Sequence, residues 1–507
     1  MVVALRGTPR GGILPTLAAA LLFAAAWLLL HPAEPWPADA DAYDHLAAAR
    51  NLLRGDGLSN DLIYPVTLAW DWGRQLPQPM LQRPPGFTLL LTAPVAAAHG
   101  DPAAALPLVR WLQVLLITLT AAVGWRGLAR RDASAGGPVF LVLLLASPLM
   151  ALGVAWGWSE VPAGLLLLLL WLGLRPDHDP DRSRRRALLL GLAAGLLTLT
   201  RTELTWVPLL WWASRTVLRR RTPRDLRDEL LVLGVAAAVW LVVTLPWWWH
   251  VTLVAGSPFF NPSAYALQLD LGEAWWEYPR LRGLEPLAPL DNLRENLGPA
   301  LLKVRHGVRF FARTLHAWLP WPLWVGVAMG LSLGVRRRGR EAWTLVEPWG
   351  VLLGTLGGMV VLYGLTSQET RFLLTLAPVI AWEAALLGDR LLRRTSWPAS
   401  ARAAALAAPM AVAVVVWPGG TPGDHATLDA ARREAPRAAA LSAELAQGPP
   451  GPVFTDNAAV LWLSDRRGVW MPRDAQAEAE IRRLLPELGA APWVRLRPLD
   501  ASSPTPP

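Results

Sequence analysis

Apolar runs close to the roughly 20 residues needed to cross a bilayer recur from Leu14 to Val416, most of them bounded by arginine clusters, proline or tryptophan. No other feature constrains the fold so strongly, because a chain that places its backbone in lipid must satisfy every peptide group internally. Composition agrees: 53% of the 507 residues are hydrophobic and only 17% charged, outside the usual range of a soluble globular protein. The runs predict an all-α polytopic membrane protein with about eleven spans. They lie at roughly 13 to 30, 105 to 125, 138 to 156, 159 to 174, 187 to 200, 203 to 218, 230 to 249, 317 to 335, 347 to 365, 372 to 388 and 402 to 417. The short pair at 187 to 218 reads either as two crossings or as a partial hairpin around Arg201.

Arginines mark the sides. Clusters at Arg126, Arg130 and Arg131, at Arg182 and Arg184 to Arg186, at Arg219 to Arg221, at Arg336 to Arg340, and at Arg390, Arg393 and Arg394 fall in alternate short loops, which the positive-inside rule makes cytoplasmic. With Arg6 and Arg10 they predict a cytoplasmic N-terminus and a C-terminus on the far side. The stretch Leu14 to Leu30 is read as a membrane anchor and not a signal peptide, because His31-Pro32-Ala33-Glu34-Pro35 offers no small-residue cleavage site. Net charge is +9 and almost wholly arginine, with Lys303 the single lysine; this fits codon bias better than a nucleic-acid role. Cysteine is absent, which excludes disulfides, thiolate metal sites and a cysteine nucleophile.

Three segments are then expected outside the membrane: a first loop at 31–104, a second at 250–316 and a tail. The domain reading is a transmembrane module at 1–417 and a small extracytoplasmic α/β domain at 418–507 ended by a disordered "SSPTPP". In the first loop "DADAYDHLAAARNLLRGDG" places Leu46, Ala49 and Leu53 at helical spacing with Asp44, His45, Arg50 and Arg54 on other faces, the pattern of a helix lying in the interface plane. In the tail, helices are expected over 427–446 and 476–488, with strands in "GPVFTDNAAVLWLSDRRGVWMP" and "WVRLRPL". No internal repeat is visible, which weakens an inverted-repeat transporter reading. The 29 tryptophans are mostly an interfacial belt, Trp247 to Trp249 and Trp206, Trp211 and Trp212 among them, while Trp70, Trp72, Trp275 and Trp276 fall in loops where a sugar could stack.

Carboxylates at a membrane surface act as bases, ligate metals or cap helices. Asp39 or Asp41 suits an N-cap. Glu160, at the start of a span, is either a charge favoured by the helix dipole or a functional acid at membrane depth. Asp71 in "AWDWGR" reads as a solvated loop charge, and His45 with Asp41 is a weak metal signal.

The order of features adds more. An apolar anchor, the acidic stretch at 39–57, "QRPPGFTLLLTAP", "WGWSEVPAGLLLLLLWL", "TLTRTELTWVPLL", "PWWWHVTLVAGSPFFNP" and "SQETRFLLTLAPVIA" together resemble the GT-C superfamily of integral-membrane glycosyltransferases, such as the protein O-mannosyltransferases and the lipid A aminoarabinose transferase. The resemblance implies an inverting transfer of a sugar from a polyprenyl-phosphate donor to an extracytoplasmic glycan, lipid or protein acceptor at a bacterial plasma membrane, with no nucleic acid involved. It implies an essential acid in the first loop, Asp41 first and Asp39 second, acting as base. Glu160 would orient the acceptor or help hold a divalent cation; a metal site is otherwise undefined. Arg371 in "SQETRFLL" is the leading candidate for the leaving phosphate, with Arg83 and Arg201 next, since a guanidinium fork binds two oxygens while staying charged. The competing readings are ion pairs of Arg371 with Glu369 and of Arg201 with Glu203. Two rival functions are carried: a flippase or polysaccharide transporter, and a non-catalytic envelope scaffold centred on the tail.

Overall fold

The computed structural model describes residues 12–31, 40–174, 182–218, 223–263, 289–314, 340–366, 368–393, 395–416, 422–471, 475–486 and 491–494, with helical positions at 324, 328 and 332. Asp39, most of the expected 317–335 span, Trp275, Trp276 and the chain beyond 494 lie outside the described residues.

Helices dominate. Among the described residues five are long and apolar enough to cross a membrane: Ile13–Leu30, Pro102–Ala129, Leu226–Ala255, Glu347–Thr366 and Thr370–Leu392. A sixth candidate is a bent pair, and the chain is a multi-pass membrane protein. Its outer surface carries Leu14, Leu21, Leu115, Leu189, Val242 and Leu353 in the open, side chains that only a hydrocarbon environment would leave unpenalised.

Several expected runs are shaped by local chemistry. The run expected as one crossing at 138–156 is two helices, Gly136–Leu145 and Pro148–Trp156, bent by 60°. Ser147 caps the second by accepting from the Met150 amide at 3.4 Å, and Pro148 opens it, so local chemistry starts a new helix where apolarity alone runs on. The pair expected around Arg201 is a helix at Arg182–Thr200, an extended Arg201, a 3-10 turn at Thr202–Leu204 and a helix at Trp206–Leu218. The helix Glu160–Gly173 has 14 residues, short of a full crossing.

Arginines also tie helix ends to one another. Asp389 accepts from the Ala135 amide at 3.1 Å and from Arg393 at 2.6 Å, and Arg393 also reaches the Asp132 carbonyl. Arg186 caps the carbonyl of Gly173 at 2.7 Å.

The first-loop helix Ala40–Arg54 is covered on several faces. Asp44, His45 and Arg50 are as buried as Leu46 and Ala49, whereas Leu53 and Arg54 are exposed. Asp44, His45 and Arg50 can be buried because each finds a partner within the protein. Trp211, expected in the belt, is also internal: it packs edge-on to Trp171 and donates to Thr355 at 2.8 Å.

The strands are short and join distant parts of the chain. β1 (Ser59–Asn60) pairs antiparallel with β3 (Gln78–Pro79). β2 (Leu62–Ile63) lies parallel to β5 (Gly468–Trp470), β5 to β4 (Val453–Thr455), and β4 to β6 (Trp493–Val494), giving the sheet order β2-β5-β4-β6. The helices Ala458–Ser464 and Ala475–Leu484 lie in the crossovers, as parallel neighbours require. An edge strand of the tail's sheet thus comes from the first loop. One apolar cluster unites Tyr43, Leu46 and Ala49 with Val460, Leu461 and Trp462.

Candidate active site

Asp41 opens the Ala40–Arg54 helix in its first turn, and its carboxylate is shared by two guanidinium groups. Arg83 binds one oxygen through Nη2, and Arg371 Nη2 binds the other at 2.7 Å. Three residues on, the buried Asp44 takes Arg83 Nε at 2.9 Å, the Asn60 amide at 2.8 Å and the Tyr64 hydroxyl at 2.9 Å. Residues three apart share a helix face, so one arginine spans both acids.

Chain breaks supply the arginines. Arg83 precedes Pro84 and Pro85, which hold the entry to the Pro85–Ala97 helix extended. Gly86 lets that helix touch the end of the Arg182–Thr200 helix: a Cβ there would lie 2.6 Å from the Leu199 carbonyl oxygen. Arg201 follows directly after Thr200. Its Nη1 lies 2.5 Å from Glu160 Oε1, and its Nε donates to Glu203 at 2.6 Å. Arg371 sits in the buried 3-10 turn Thr370–Leu376, where Nε donates to Glu369 at 2.5 Å and lies 3.9 Å from Glu160. Trp158 and Phe372 face its guanidinium at 5.4 and 5.3 Å, and Arg201 stands over Phe372 at 5.0 Å, contacts that favour a delocalised cation.

Asp41, Arg83, Glu160, Arg201 and Arg371 therefore meet in one cluster drawn from five segments. The pairs Arg371–Glu369 and Arg201–Glu203 both form, but each arginine also reaches a second acid. Asp44, Asn60, Tyr64 and Tyr363 join the cluster without being sequence candidates for it. The Tyr363 hydroxyl donates to Glu203 at 3.3 Å. Asp44 has a signal, its place one turn after Asp41; Asn60 and Tyr64 have none, since only the fold returns their segment to the helix.

Burial favours the neutral form of Asp41, but Arg371 and Arg83 outweigh it and hold the carboxyl well below the usual carboxylate range. Burial pushes Asp44 up against the pull of Arg83. His45, buried and close to Arg83, is pushed down to about 3; its Nδ1 meets Thr88 Oγ1 at 2.8 Å and its ring meets Phe87 edge-on. The histidine is thus spoken for, and among the described residues no three His, Asp or Glu side chains are grouped to hold a metal. The acids nearest Asp41 face guanidinium groups.

Asp41 keeps 29% of its side chain exposed. Beside the cluster, a shallow cleft is lined by Asn60, Trp72, Gln78, Met80 and Gln82. Trp70 stacks on Trp72 at 5.5 Å, and Phe260 meets both edge-on. Asp71 is fully exposed beside Arg74.

No family model matches the chain, and no curated protein matches it by sequence. Solved structures do. ArnT from Cupriavidus metallidurans bound to undecaprenyl phosphate aligns over 96% of this chain and 90% of its own, with a TM-score of 0.55 at 14% identity; its apo state aligns over 94% and 88%, also at 0.55 and 14%. The Archaeoglobus fulgidus oligosaccharyltransferase, in complex with Zn and sulfate, aligns over 90% of this chain and 62% of its own, with a TM-score of 0.53 at 12% identity. At these identities the likeness establishes architecture alone: the chain shares the overall fold of these structures.

Proposed function

We propose that this protein is a membrane glycosyltransferase that moves a sugar from a polyprenyl-phosphate donor to an acceptor on the outer side of the membrane, with inversion. The observation that carries the reading is the single carboxylate of Asp41 held between Arg83 and Arg371, in a fold whose neighbour binds undecaprenyl phosphate. The sugar, the acceptor and the bacterial plasma membrane as its location belong to the same proposal, as does a cytoplasmic N-terminus.

Two guanidinium groups make Asp41 a weak base in the ligand-free state. An entering phosphate changes that, because its oxygens compete for the same forks. As Arg83 and Arg371 turn to the phosphate, Asp41 loses the charges that depress it and becomes basic enough to take a proton. The acceptor O–H then gives its proton to Asp41 while the acceptor oxygen bonds to the anomeric carbon. The bond from that carbon to the phosphate oxygen breaks from the opposite face, and the electron pair leaves with the polyprenyl phosphate, whose growing charge the arginines hold. Asp44 keeps Arg83 in place throughout, and Glu160 and Glu203 do the same for Arg201. Trp70 and Trp72 offer a face for the acceptor.

Asp41→Asn keeps the size of the side chain and removes its basicity. Transfer from undecaprenyl-phosphate-linked sugars by proteoliposomes of this variant should fall by about 10²- to 10⁴-fold, with expression intact. Wild-type turnover in Asp41→Asn would rule out the base; movement of intact lipid-linked sugar without cleavage would favour the flippase.

A further inference from the structure

We propose that an ion clamp between the tail and the Ala40–Arg54 helix positions Asp41 and Asp44, with Arg50 and Asp465 as positioning residues. The inference rests on the functional reading only for what the positioned acids do.

The C-terminal half of that helix is gripped from the tail. Arg50, 4% exposed, donates to the Trp462 carbonyl at 3.1 Å, stacks over the Trp462 ring at 4.5 Å, binds Asp61 at 2.8 Å and lies 2.9 Å from Asp465. Arg54 forks onto both oxygens of Asp465 at 2.9 and 2.6 Å. Arg467 closes the ring onto Asp56 at 2.6 Å and Asp61 at 3.3 Å.

The same strand segment reaches both ends of the helix. Asp61 accepts from Arg50 and Asn51, and its carbonyl accepts the Gly468 amide at 2.8 Å. Its neighbour Asn60 donates to Asp44. Leu62 and Ile63 then enter the tail's sheet beside Gly468 and Val469. A continuous route therefore runs from β5 through β2 and Asn60 to Asp44, Arg83 and Asp41, and a second runs from Asp465 through Arg50 along the helix.

Lever geometry sets the stakes. At about 1.5 Å rise per residue, Asp41 lies about 13 Å along the helix from Arg50, so a tilt of about 10° about the clamp would move it about 2 Å. A displacement of about 1 Å already disturbs a reacting geometry severely.

The absence of cysteine allows a direct test on the full chain. Spin labels on Leu53→Cys and Leu89→Cys, both exposed positions, report the distance between the Ala40–Arg54 and Pro85–Ala97 helices in nanodiscs, and binding of undecaprenyl phosphate is measured on the unlabelled protein. Asp465→Asn removes the charge at a left-handed backbone position (φ 53) that asparagine tolerates, and Arg50→Lys keeps charge but loses the fork. Each should broaden the distance distribution and weaken undecaprenyl phosphate binding roughly two- to thirty-fold, and Asp465→Glu should recover both. Unbroadened distances in folded Asp465→Asn and Arg50→Lys would overturn the clamp. Broadened distances with wild-type lipid affinity would keep the clamp and overturn the donor-binding reading instead.

Discussion

At the scale of single residues, the site is a lesson in shared charge. Five carboxylates, Asp41, Asp44, Glu160, Glu203 and Glu369, face three guanidinium groups. The surplus is tolerable because burial pushes Asp44 toward its neutral form and because Glu203 and Glu369 keep about a third of their surface in the open. His45 provides a readout of how dry this region is. Its folded value of about 3 lies below the ordinary one near 6.5, so the unfolded chain binds the extra proton between those values. Its contribution to stability is therefore fully present above about pH 6.5 and is lost as pH falls toward 3. Asp44, shifted the other way, has the opposite slope, so the comparison must be made against a variant. The unfolding temperature of the wild type should drop more steeply from pH 7 to pH 5 than that of His45→Gln, and equal slopes would mean that His45 is hydrated. Glu160 and the three arginines are legible in the sequence because each stands at an apolar boundary, where a charge is conspicuous, whereas Asp41 is singled out over a helix cap only by what the resemblance implies. Asn60 and Tyr64 are not, being ordinary loop residues until the fold brings them to Asp44.

Elements matter through where they stop. Asp41, Glu160, Arg201 and Arg371 all lie within one turn of a helix end or a 3-10 turn, and proline or a capping side chain fixes several of those ends. Asp101 holds the start of Pro102–Ala129 by accepting the Ala103 and Ala104 amides at 2.8 and 3.2 Å. The 60° bend at Ser147 carries the same kind of cap, but the surrounding apolarity reads as one run and hides it. Gly86 is a tight joint of this kind. Gly86→Ala would drive a methyl group against Leu199 and Thr200 backbone, separating the segment that bears Arg83 from the one that ends at Arg201. Overpacking of this kind costs about 1 to 3 kcal/mol, so the variant should unfold at a lower temperature and bind undecaprenyl phosphate less tightly. An unaltered unfolding temperature would mean that the two helices are free to part.

Across the whole molecule, the general helical membrane character is readable from hydropathy, whereas the union of first loop and tail is not. Arg50 and the Trp462 carbonyl are 412 residues apart, and no local pattern announces such a pairing. The sidedness inferred from arginine is a proposal that labelling decides. In intact cells an impermeant maleimide should modify Leu53→Cys, on the helix of the acids, and spare Trp397→Cys, in the loop after the arginine-rich helix end; the reverse pattern would invert the molecule. The parallel pairing of Leu62–Ile63 with Gly468–Val469 also bears on biosynthesis. The ribosome must deliver the chain as far as Gly468 and Val469 before that edge strand meets its neighbour, so an early loop waits for a distant segment to take its final seat. A product truncated before Gly468 would leave the segment around Asn60, and with it the frame of Asp44, without that sheet partner.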